Sequence, residues 1–237
     1  MRLFQFSGKK YLRKMYAKAT HLNYRNIVDL IEKNNEANFL DLGCDNGMMT
    51  RKLAEAVGTN NVFGAEIVDE KIEEAGRNGV LAKKFDLNQK FDFESDFFDV
   101  VCANQVIEHL YNSDNFISEI YRVLKPRGYA IISTENASSW CNIFASILGW
   151  QIFSLTNMSS RKRGVGNPLA LLREDEPGLE SWNHVRVYNI RGLKEYFEIF
   201  GFKAEEVRGA GYFPLPSFLG NLDKIHSHFV SFKIRKY

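Results

Sequence analysis

Apolar and polar positions change period repeatedly along this chain. Short apolar runs are followed by stretches whose apolar residues recur three and four positions apart, which is the spacing of an amphipathic helix. This alternation is typical of a doubly wound α/β fold, a mostly parallel sheet covered by helices. The pattern predicts strands at 39–42, 61–67, 80–86, 98–104, 129–136, 202–209 and 228–235, and helices at 48–57, 70–77, 114–124 and 190–200.

Two segments lie outside this alternation. Residues 1–36 precede the first predicted strand, and we expect a helical cap there with a break near His21 or Asn23. Residues 137–183 follow the fifth predicted strand and are too long for a plain connection. We expect this insertion to form a second cap, which opens with a helix over 140–153. The chain of 237 residues can then form a single domain, 1–237, with two caps.

The first predicted strand ends in a glycine-containing loop. The segment Asp41-Leu42-Gly43-Cys44-Asp45-Asn46-Gly47 leads directly into the helix at 48–57. In such a sheet a ligand lies beyond the carboxyl end of the strand, and glycine lets the backbone approach it. The carboxylates of Asp41 and Asp45 would repel a pyrophosphate and suit a cation such as S-adenosylmethionine. The alternative is an ordinary strand-to-helix turn with a capping aspartate.

Two further carboxylates follow the next predicted strands. Glu66 comes 25 positions after Asp41, at the tip of the second strand, where a carboxylate can accept hydrogen bonds from both ribose hydroxyls of an adenosine. Asp86 ends the third strand, where it could accept a hydrogen bond from an adenine amino group. The alternative for Glu66 is a solvated strand end. The spacing from the glycine loop favours the functional interpretation.

The composition narrows the class of protein. With 45% hydrophobic and 25% charged residues and a net charge of +2, the chain lacks the basic surplus of a nucleic-acid-binding protein. Its three cysteines, Cys44, Cys102 and Cys141, form no disulfide or metal pattern, which favours a reducing cytoplasm. The first ten residues contain no apolar core of the length of a signal peptide, and no apolar run is long enough to span a membrane, so we expect neither kind of segment.

Six motifs in order resemble the class I S-adenosylmethionine-dependent methyltransferases, in particular the small-molecule branch with the Glu-His-Leu signature. The resemblance covers about residues 38–136 motif by motif. One difference is Asp45, which stands where the family more commonly has a glycine. The motifs are 41–47, Glu66, 85–87, 98–101, 106–110 and 123–128.

The resemblance implies a seven-stranded sheet whose last strand is antiparallel, with S-adenosylmethionine as cofactor and S-adenosylhomocysteine as product. It also implies that the glycine loop holds the methionine part, Glu66 the ribose, and Asp86 with Leu87 the adenine. The expected cofactor-binding residues are Asp41, Gly43, Cys44, Asp45, Gly47, Glu66, Ile67, Asp86, Leu87, Asn104 and Gln105.

Methyl transfer needs alignment and sometimes a base, and needs no metal in principle. His109 and His184 are the catalytic candidates because imidazole titrates near neutrality; a structural histidine that fixes a loop is the alternative for each. Glu108 lies beside His109, but no further ligands occur at metal spacing, so we predict no metal site.

The acceptor is expected to be a small molecule methylated on an oxygen or carboxyl group, for example a glycan or a lipid-linked compound. The Asn-Pro-Pro-Tyr type of signature for amino methylation is absent after the fourth strand. An aromatic, partly basic insertion leaves peripheral membrane contact open, and the oligomeric state stays undetermined. The alternatives are an NAD-type dehydrogenase and a non-catalytic S-adenosylmethionine-binding protein.

Overall fold

A computed structural model describes residues 2–170 and 180–237 of the chain. Its seven strands form one sheet in the order β3-β2-β1-β4-β5-β7-β6, mostly parallel with one antiparallel strand. This confirms the predicted doubly wound, Rossmann-like sheet. The strands are β1 Phe39–Leu42, β2 Val62–Glu66, β3 Leu81–Lys84, β4 Phe98–Asn104, β5 Leu124–Glu135, β6 Phe202–Ala210 and β7 Phe229–Lys236.

The helices follow the strands as the sequence pattern predicts, with one-turn 3₁₀ helices between them at Ile107–His109, Phe153–Leu155, Glu180–Trp182 and Lys224–His226. Among the described residues, no helix is both long enough and apolar enough to cross a bilayer. The helices are α1 Arg2–Leu30, α2 Met48–Val57, α3 Asp69–Arg77, α4 Ser113–Val123, α5 Trp140–Ile147, α6 Ile190–Ile199 and α7 Leu219–Leu222.

The predicted break near His21 or Asn23 is wrong, because α1 continues without interruption to Leu30. An asparagine inside a helix usually competes with the backbone for hydrogen bonds. Here the side chain of Asn23 is buried, and its Oδ1 accepts a hydrogen bond of 2.9 Å from the hydroxyl of Ser231. The side chain of Asn23 therefore bonds to a tertiary partner instead of to the backbone of α1, and the helix is not interrupted.

Helix ends also differ from the prediction. Helix α4 begins at Ser113, one residue before the predicted start, and its N-cap is Asn112, whose side chain accepts a hydrogen bond from the backbone N–H of Asn115. Helix α3 begins at Asp69, one residue before the predicted start, and the side chain of Asp69 pairs with Lys84 at 2.6 Å. The insertion helix α5 ends at Ile147, well before residue 153, because Gly149 turns the chain with a φ of 68°.

Contacts divide the described chain into two compact units. The glycine-loop unit consists of Ile27–Ser133, Lys194–Val207 and Phe232–Tyr237. Its core contains fully buried residues of β1 and β4, such as Phe39, Leu40 and Val101. The insertion unit consists of the described parts of Met1–Asn26, Thr134–Leu193 and Arg208–Ser231. Its apolar cluster includes Met15, Ala19, Ala210, Phe213 and Phe229.

Gly64 in β2 should not tolerate a side chain. A Cβ atom there would lie 2.6 Å from Sγ of Cys44 and 2.9 Å from Cγ1 of Val80. We expect Gly64→Ala to lower the free energy of unfolding by about 1–3 kcal/mol, since overpacking forces neighbours out of their rotamers. Urea denaturation measures this change.

The matched control is Gly76→Ala in α3, where a new Cβ would meet nothing within 4 Å. Alanine is the better helix former, so the free energy of unfolding of this variant should be about 0.5–1 kcal/mol higher than that of the parent. Equal stabilities for the two variants would contradict the packing assigned to Gly64.

Candidate functional site

The glycine loop turns sharply between β1 and α2. The backbone N–H groups of Gly43 and Cys44 both donate to the carbonyl oxygen of Ala65, at 2.9 and 3.1 Å. Gly43, Asp45 and Gly47 have φ values of 77°, 45° and 78°. Aspartate is among the few residues other than glycine that adopt this left-handed conformation readily. The replacement of a common glycine by Asp45 is therefore compatible with the predicted path of the loop.

The loop also passes very close to the segment after β4. A Cβ atom on Gly43 would lie 2.8 Å from Cγ2 of Val106, and a Cβ atom on Gly47 would lie 2.9 Å from Cα of Ala75. These two positions thus combine a left-handed backbone with a lack of space for a side chain. Glycine satisfies both conditions, which explains the spacing that the sequence shows.

Glu66 is bound to the loop through both carboxylate oxygens. Oε2 accepts a hydrogen bond of 3.0 Å from the backbone N–H of Asp45. Oε1 accepts hydrogen bonds from the backbone N–H groups of Ile67 at 2.7 Å and Val68 at 3.1 Å. These contacts fix a half-exposed carboxylate at the end of β2, beside the loop, as the sequence predicts.

Asp41 is buried in β1, one residue before the end of this strand. The hydroxyl of Thr50 in α2 donates to its Oδ2 at 2.6 Å. Burial raises the pKa of Asp41 to about 7; the Thr50 hydrogen bond opposes the shift and the charge of Glu66 adds to it. Asp41 therefore carries a charge that changes near neutral pH, where most carboxyl groups are fully ionised.

Asp45 and Cys44 are the other loop residues with ionisable side chains. Asp45 is exposed and pairs with Lys71 of α3 at 3.4 Å, and Lys71 also pairs with Glu74 at 3.1 Å. Burial, with the charges of Asp41 and Glu66, raises the pKa of Cys44 to about 12. The Cys44 thiol therefore stays protonated near neutral pH. Three carboxyl groups converge on the loop, and this arrangement favours a cationic ligand.

The remaining predicted cofactor residues lie beyond the carboxyl ends of β3 and β4. Asp86 and Leu87 are half-buried in the turn after β3, which ends two residues earlier than predicted. Asp86 Oδ1 accepts hydrogen bonds from the backbone and the side chain of Asn88, at 2.9 and 2.8 Å. Asn104 ends β4, and Gln105 follows with a φ of 59°.

The backbone of Gln105 makes a hydrogen bond, whereas its side-chain amide nitrogen makes none among the described residues. Its N–H donates to the carbonyl oxygen of Ser133 at 2.8 Å. Its side-chain Nε2 is buried and makes no hydrogen bond with any described residue. A buried amide donor without a partner costs free energy, which a bound polar ligand would recover.

The two candidate histidines belong to different units. His109 ends the 3₁₀ helix after β4 in the glycine-loop unit and is half-buried. His184 belongs to the insertion unit, where its Nδ1 lies 2.7 Å from the carbonyl oxygen of Ser154. A carbonyl oxygen only accepts hydrogen bonds, so Nδ1 of His184 donates and Nε2 is the basic nitrogen.

Thr50 and Lys71 also contact the charged groups of the loop, and the sequence pattern does not indicate either role. A threonine on the buried face of an amphipathic helix is a weak signal, although its position one turn into α2 places it near the end of β1. For Lys71 the sequence carries no signal, because its pairing with Asp45 depends on how α3 packs.

Comparisons with known proteins find similarities in sequence and in fold. The model of a protein family described as a methyltransferase domain matches residues 11–207. A ubiquinone biosynthesis O-methyltransferase of Rickettsia typhi is 31% identical over 146 residues, which are 55% of this chain and 57% of that protein. Its mitochondrial counterpart in Dictyostelium discoideum is 25% identical over 193 residues, 75% of this chain and 53% of that protein. The chain spans about half the length of these relatives.

Solved structures share the fold. An S-adenosylmethionine-dependent methyltransferase from Mesorhizobium loti matches with a TM-score of 0.61 and 16% identity, over 94% of this chain and 100% of that one. Another from Thermotoga maritima matches with a TM-score of 0.61 and 17% identity, over 100% and 99%. At this level of identity the likeness concerns the fold.

The buried Asp41 should make stability depend on pH. Its pKa is raised from 3.8 to about 7 on folding, so the folded chain holds this proton more tightly than the unfolded chain. The resulting stabilisation is complete below pH 3.8 and is lost as pH rises to about 7, by roughly 1.4 kcal/mol for each pKa unit of the shift.

Asp41→Asn removes this proton, so its stability relative to the parent should increase between those pH values in urea denaturation. Thr50→Val removes the donor that stabilises the carboxylate, so its loss of stability should extend to higher pH. Parallel pH profiles for the parent and Asp41→Asn would contradict the buried titration.

Proposed function

Because the chain belongs to this methyltransferase family, we propose that it transfers a methyl group from S-adenosylmethionine to an oxygen or carboxyl group of a small-molecule acceptor. The observation that carries the proposal is the carboxylate of Glu66, which is held beside the glycine loop by three backbone N–H groups. The cofactor supplies an activated methyl group on a sulfonium. The protein then has to bind the cofactor and the acceptor, align them and exclude water.

The loop fits the charge of this cofactor. S-adenosylmethionine carries an ammonium and a sulfonium. Asp45 and Glu66 provide negative charge around the backbone that Gly43 and Gly47 keep open, and Asp41 adds to this charge as it ionises near neutral pH. We assign the methionine part to this loop and the ribose hydroxyls to Glu66, with Cys44 and Ile67 as backbone neighbours. The left-handed glycines support the assignment, since any side chain there would fill the space.

We assign the adenine to Asp86 and Leu87 and further polar contacts to Asn104 and Gln105. Asp86 Oδ2 makes no hydrogen bond within the described residues and can accept one from an adenine amino group. The buried Nε2 of Gln105 can donate to a polar atom of the ligand. These side chains follow β3 and β4, where ligands of open α/β sheets bind.

An oxygen acceptor agrees with the relatives, which are named as O-methyltransferases of ubiquinone biosynthesis. A hydroxyl must lose its proton as it attacks the methyl group, so a base assists the transfer. We propose His184 for this role because its Nδ1–H donates to the carbonyl oxygen of Ser154, which fixes the neutral tautomer whose basic nitrogen is Nε2. His109 is the second candidate, and its position after β4 supports it.

Other expectations from the sequence stay predictions. They are the single domain, the roles of 1–36 and 137–183 as caps, a cytoplasmic location, contact with a membrane surface, and a glycan or lipid-linked acceptor. Part of the predicted insertion, residues 171–179, lies outside the described residues.

The proposed activity can be tested with cofactor that carries a labelled methyl group. The protein is incubated with fractions of a metabolite extract, and label is followed into small molecules by mass spectrometry. We expect label in a hydroxyl- or carboxyl-bearing product together with S-adenosylhomocysteine. Saturable cofactor binding without transfer to any fraction would instead favour a non-catalytic binding protein.

Replacement of Glu66 should weaken cofactor binding. Glu66→Gln keeps one oxygen for the loop but removes the charge, and Glu66→Ala removes both oxygens. Since hydrogen bonds to charged groups contribute about 1.5–3 kcal/mol, we expect the dissociation constant of S-adenosylmethionine to rise roughly tenfold to a hundredfold for Glu66→Ala, and less for Glu66→Gln. Calorimetry measures both.

Asp69→Asn is the control for Glu66, because Asp69 is an exposed carboxylate three residues away that pairs with Lys84. Its affinity should match that of the parent. If Glu66→Ala binds the cofactor as tightly as Asp69→Asn does, the ribose assignment is wrong.

Replacement of His184 should slow transfer and leave cofactor binding intact. General base catalysis contributes about 10²–10⁴-fold, so His184→Gln should lower kcat by that range. The dissociation constant of S-adenosylmethionine should stay within a few-fold. His21→Gln, at an exposed position of α1, is the control with expected parental kcat. Parental kcat in His184→Gln and a loss in His109→Gln would transfer the role to His109.

A further inference from the structure

Cys141 has neighbours that favour attack by its sulfur. It is half-buried in the first turn of α5, where the helix dipole stabilises negative charge. Its Sγ lies 3.5 Å from Nδ1 of His228 and 3.3 Å from the hydroxyl oxygen of Ser139. All of these residues belong to the insertion unit. A thiol at a helix N-terminus beside a histidine is the usual setting of a reactive cysteine.

His228 in turn faces a carboxylate. Its Nε2 lies 3.9 Å from Oε1 of Glu135, the last residue of β5. The exposed fractions are 4% for His228 and 8% for Glu135. The negative charge of Glu135 favours the tautomer with the proton on Nε2, which leaves Nδ1 free to take a proton from Cys141.

Two atoms of this pair are buried without a hydrogen-bond partner among the described residues. They are Nε2 of His228 and Oε2 of Glu135. Such atoms cost stability, so a purely structural role does not account for them. Burial alone would lower the pKa of His228, but the influence of Cys141 and then Glu135 holds that pKa above its ordinary value.

Aromatic rings fix the orientation of the imidazole. Phe213, Phe229 and Tyr16 meet the His228 ring edge-on, with ring centroids 5.0, 4.5 and 5.8 Å away. The backbone N–H of His228 also donates to the carbonyl oxygen of Gly211 at 2.9 Å. His228 therefore cannot turn away from the sulfur without moving several packed side chains.

We propose that Cys141 is a nucleophilic thiol, with His228 as its base and Glu135 as the residue that positions the base, and that it exchanges with small-molecule disulfides. This site is additional to methyl transfer, and the inference does not rest on the proposed function. The other cysteines lack the arrangement. Burial, with the charge of Asp41, raises the pKa of Cys102 well above its ordinary value, and Cys44 shares that direction.

The exchange balances within the named groups. Sγ of Cys141 attacks one sulfur of the disulfide while its proton passes to Nδ1 of His228. A new S–S bond joins Cys141 to one half of the reagent, and the original S–S bond breaks. The departing thiolate takes the proton from the imidazolium, so the products are a mixed disulfide on Cys141 and one free thiol.

Glutathione disulfide is the probe that tests this inference. The reduced, full chain is incubated with it at neutral pH, quenched with acid, digested, and analysed by mass spectrometry for each cysteine. We expect Cys141 to be modified at least about tenfold faster than Cys44 and Cys102. We also expect Cys141 to react faster in the folded chain than in the same chain unfolded in urea, where it has no neighbours.

Variants distinguish activation of the Cys141 thiol by His228 from simple solvent exposure of Cys141. His228→Gln and Glu135→Gln should each slow the modification of Cys141, the first by at least about tenfold. His226→Gln is the matched control, since the imidazole of His226 pairs with Asp223 and stacks on Trp140. Circular dichroism verifies that each variant folds. If His228→Gln does not fold, the rates of Cys141 in the folded parent and in the parent unfolded in urea still test the inference.

Three outcomes would overturn the inference. They are a slower reaction of Cys141 in the folded chain than in urea, equal rates at all three cysteines, or an unchanged rate in a folded His228→Gln variant.

Discussion

The lack of room around the glycine loop is the constraint on which the candidate site depends. The loop must leave β1, accept the position set by the carbonyl oxygen of Ala65, and pass close to Val106. Gly43 and Gly47 allow this path from within the loop, and Gly64 allows it from the neighbouring strand. Since the loop backbone supplies the N–H of Asp45 to Glu66, this close packing also determines where the Glu66 carboxylate lies.

Local pattern was sufficient to predict much of the sheet. β1 and β4 are buried on both faces and read as continuous apolar runs, which is why their predicted and observed limits agree. The position of the loop between β1 and α2 was predicted equally well, because the spacing of its glycines is itself local; its role in cofactor binding stays a prediction. Helix ends were less predictable: the N-cap of α4 is Asn112, because its side chain reaches the backbone N–H of Asn115, and this contact depends on the folded geometry.

Features that depend on distant partners carried no signal in the sequence. Asn23 looked like a helix break because its partner Ser231 is 208 positions away. His228 and Cys141 are separated by 87 positions, and nothing near either residue indicates the other. The raised pKa of Asp41 likewise follows from burial, which a sequence pattern shows only indirectly. What the sequence failed to predict is therefore mostly pairing between side chains brought together by the fold.

The contacts that α1 makes with residues far away in the sequence have a consequence for the order of folding. This helix is synthesised before the strands, yet the side chain of Asn26 donates to the carbonyl oxygen of Gly209, 183 positions later, and the partner of Asn23 is Ser231, 208 positions later. Contacts of such sequence separation form late, because the entropy of closing a long loop must be overcome first. During translation α1 therefore stays without these partners while β1 to β5 are made, and its buried face is exposed to chaperones or to other chains for that time.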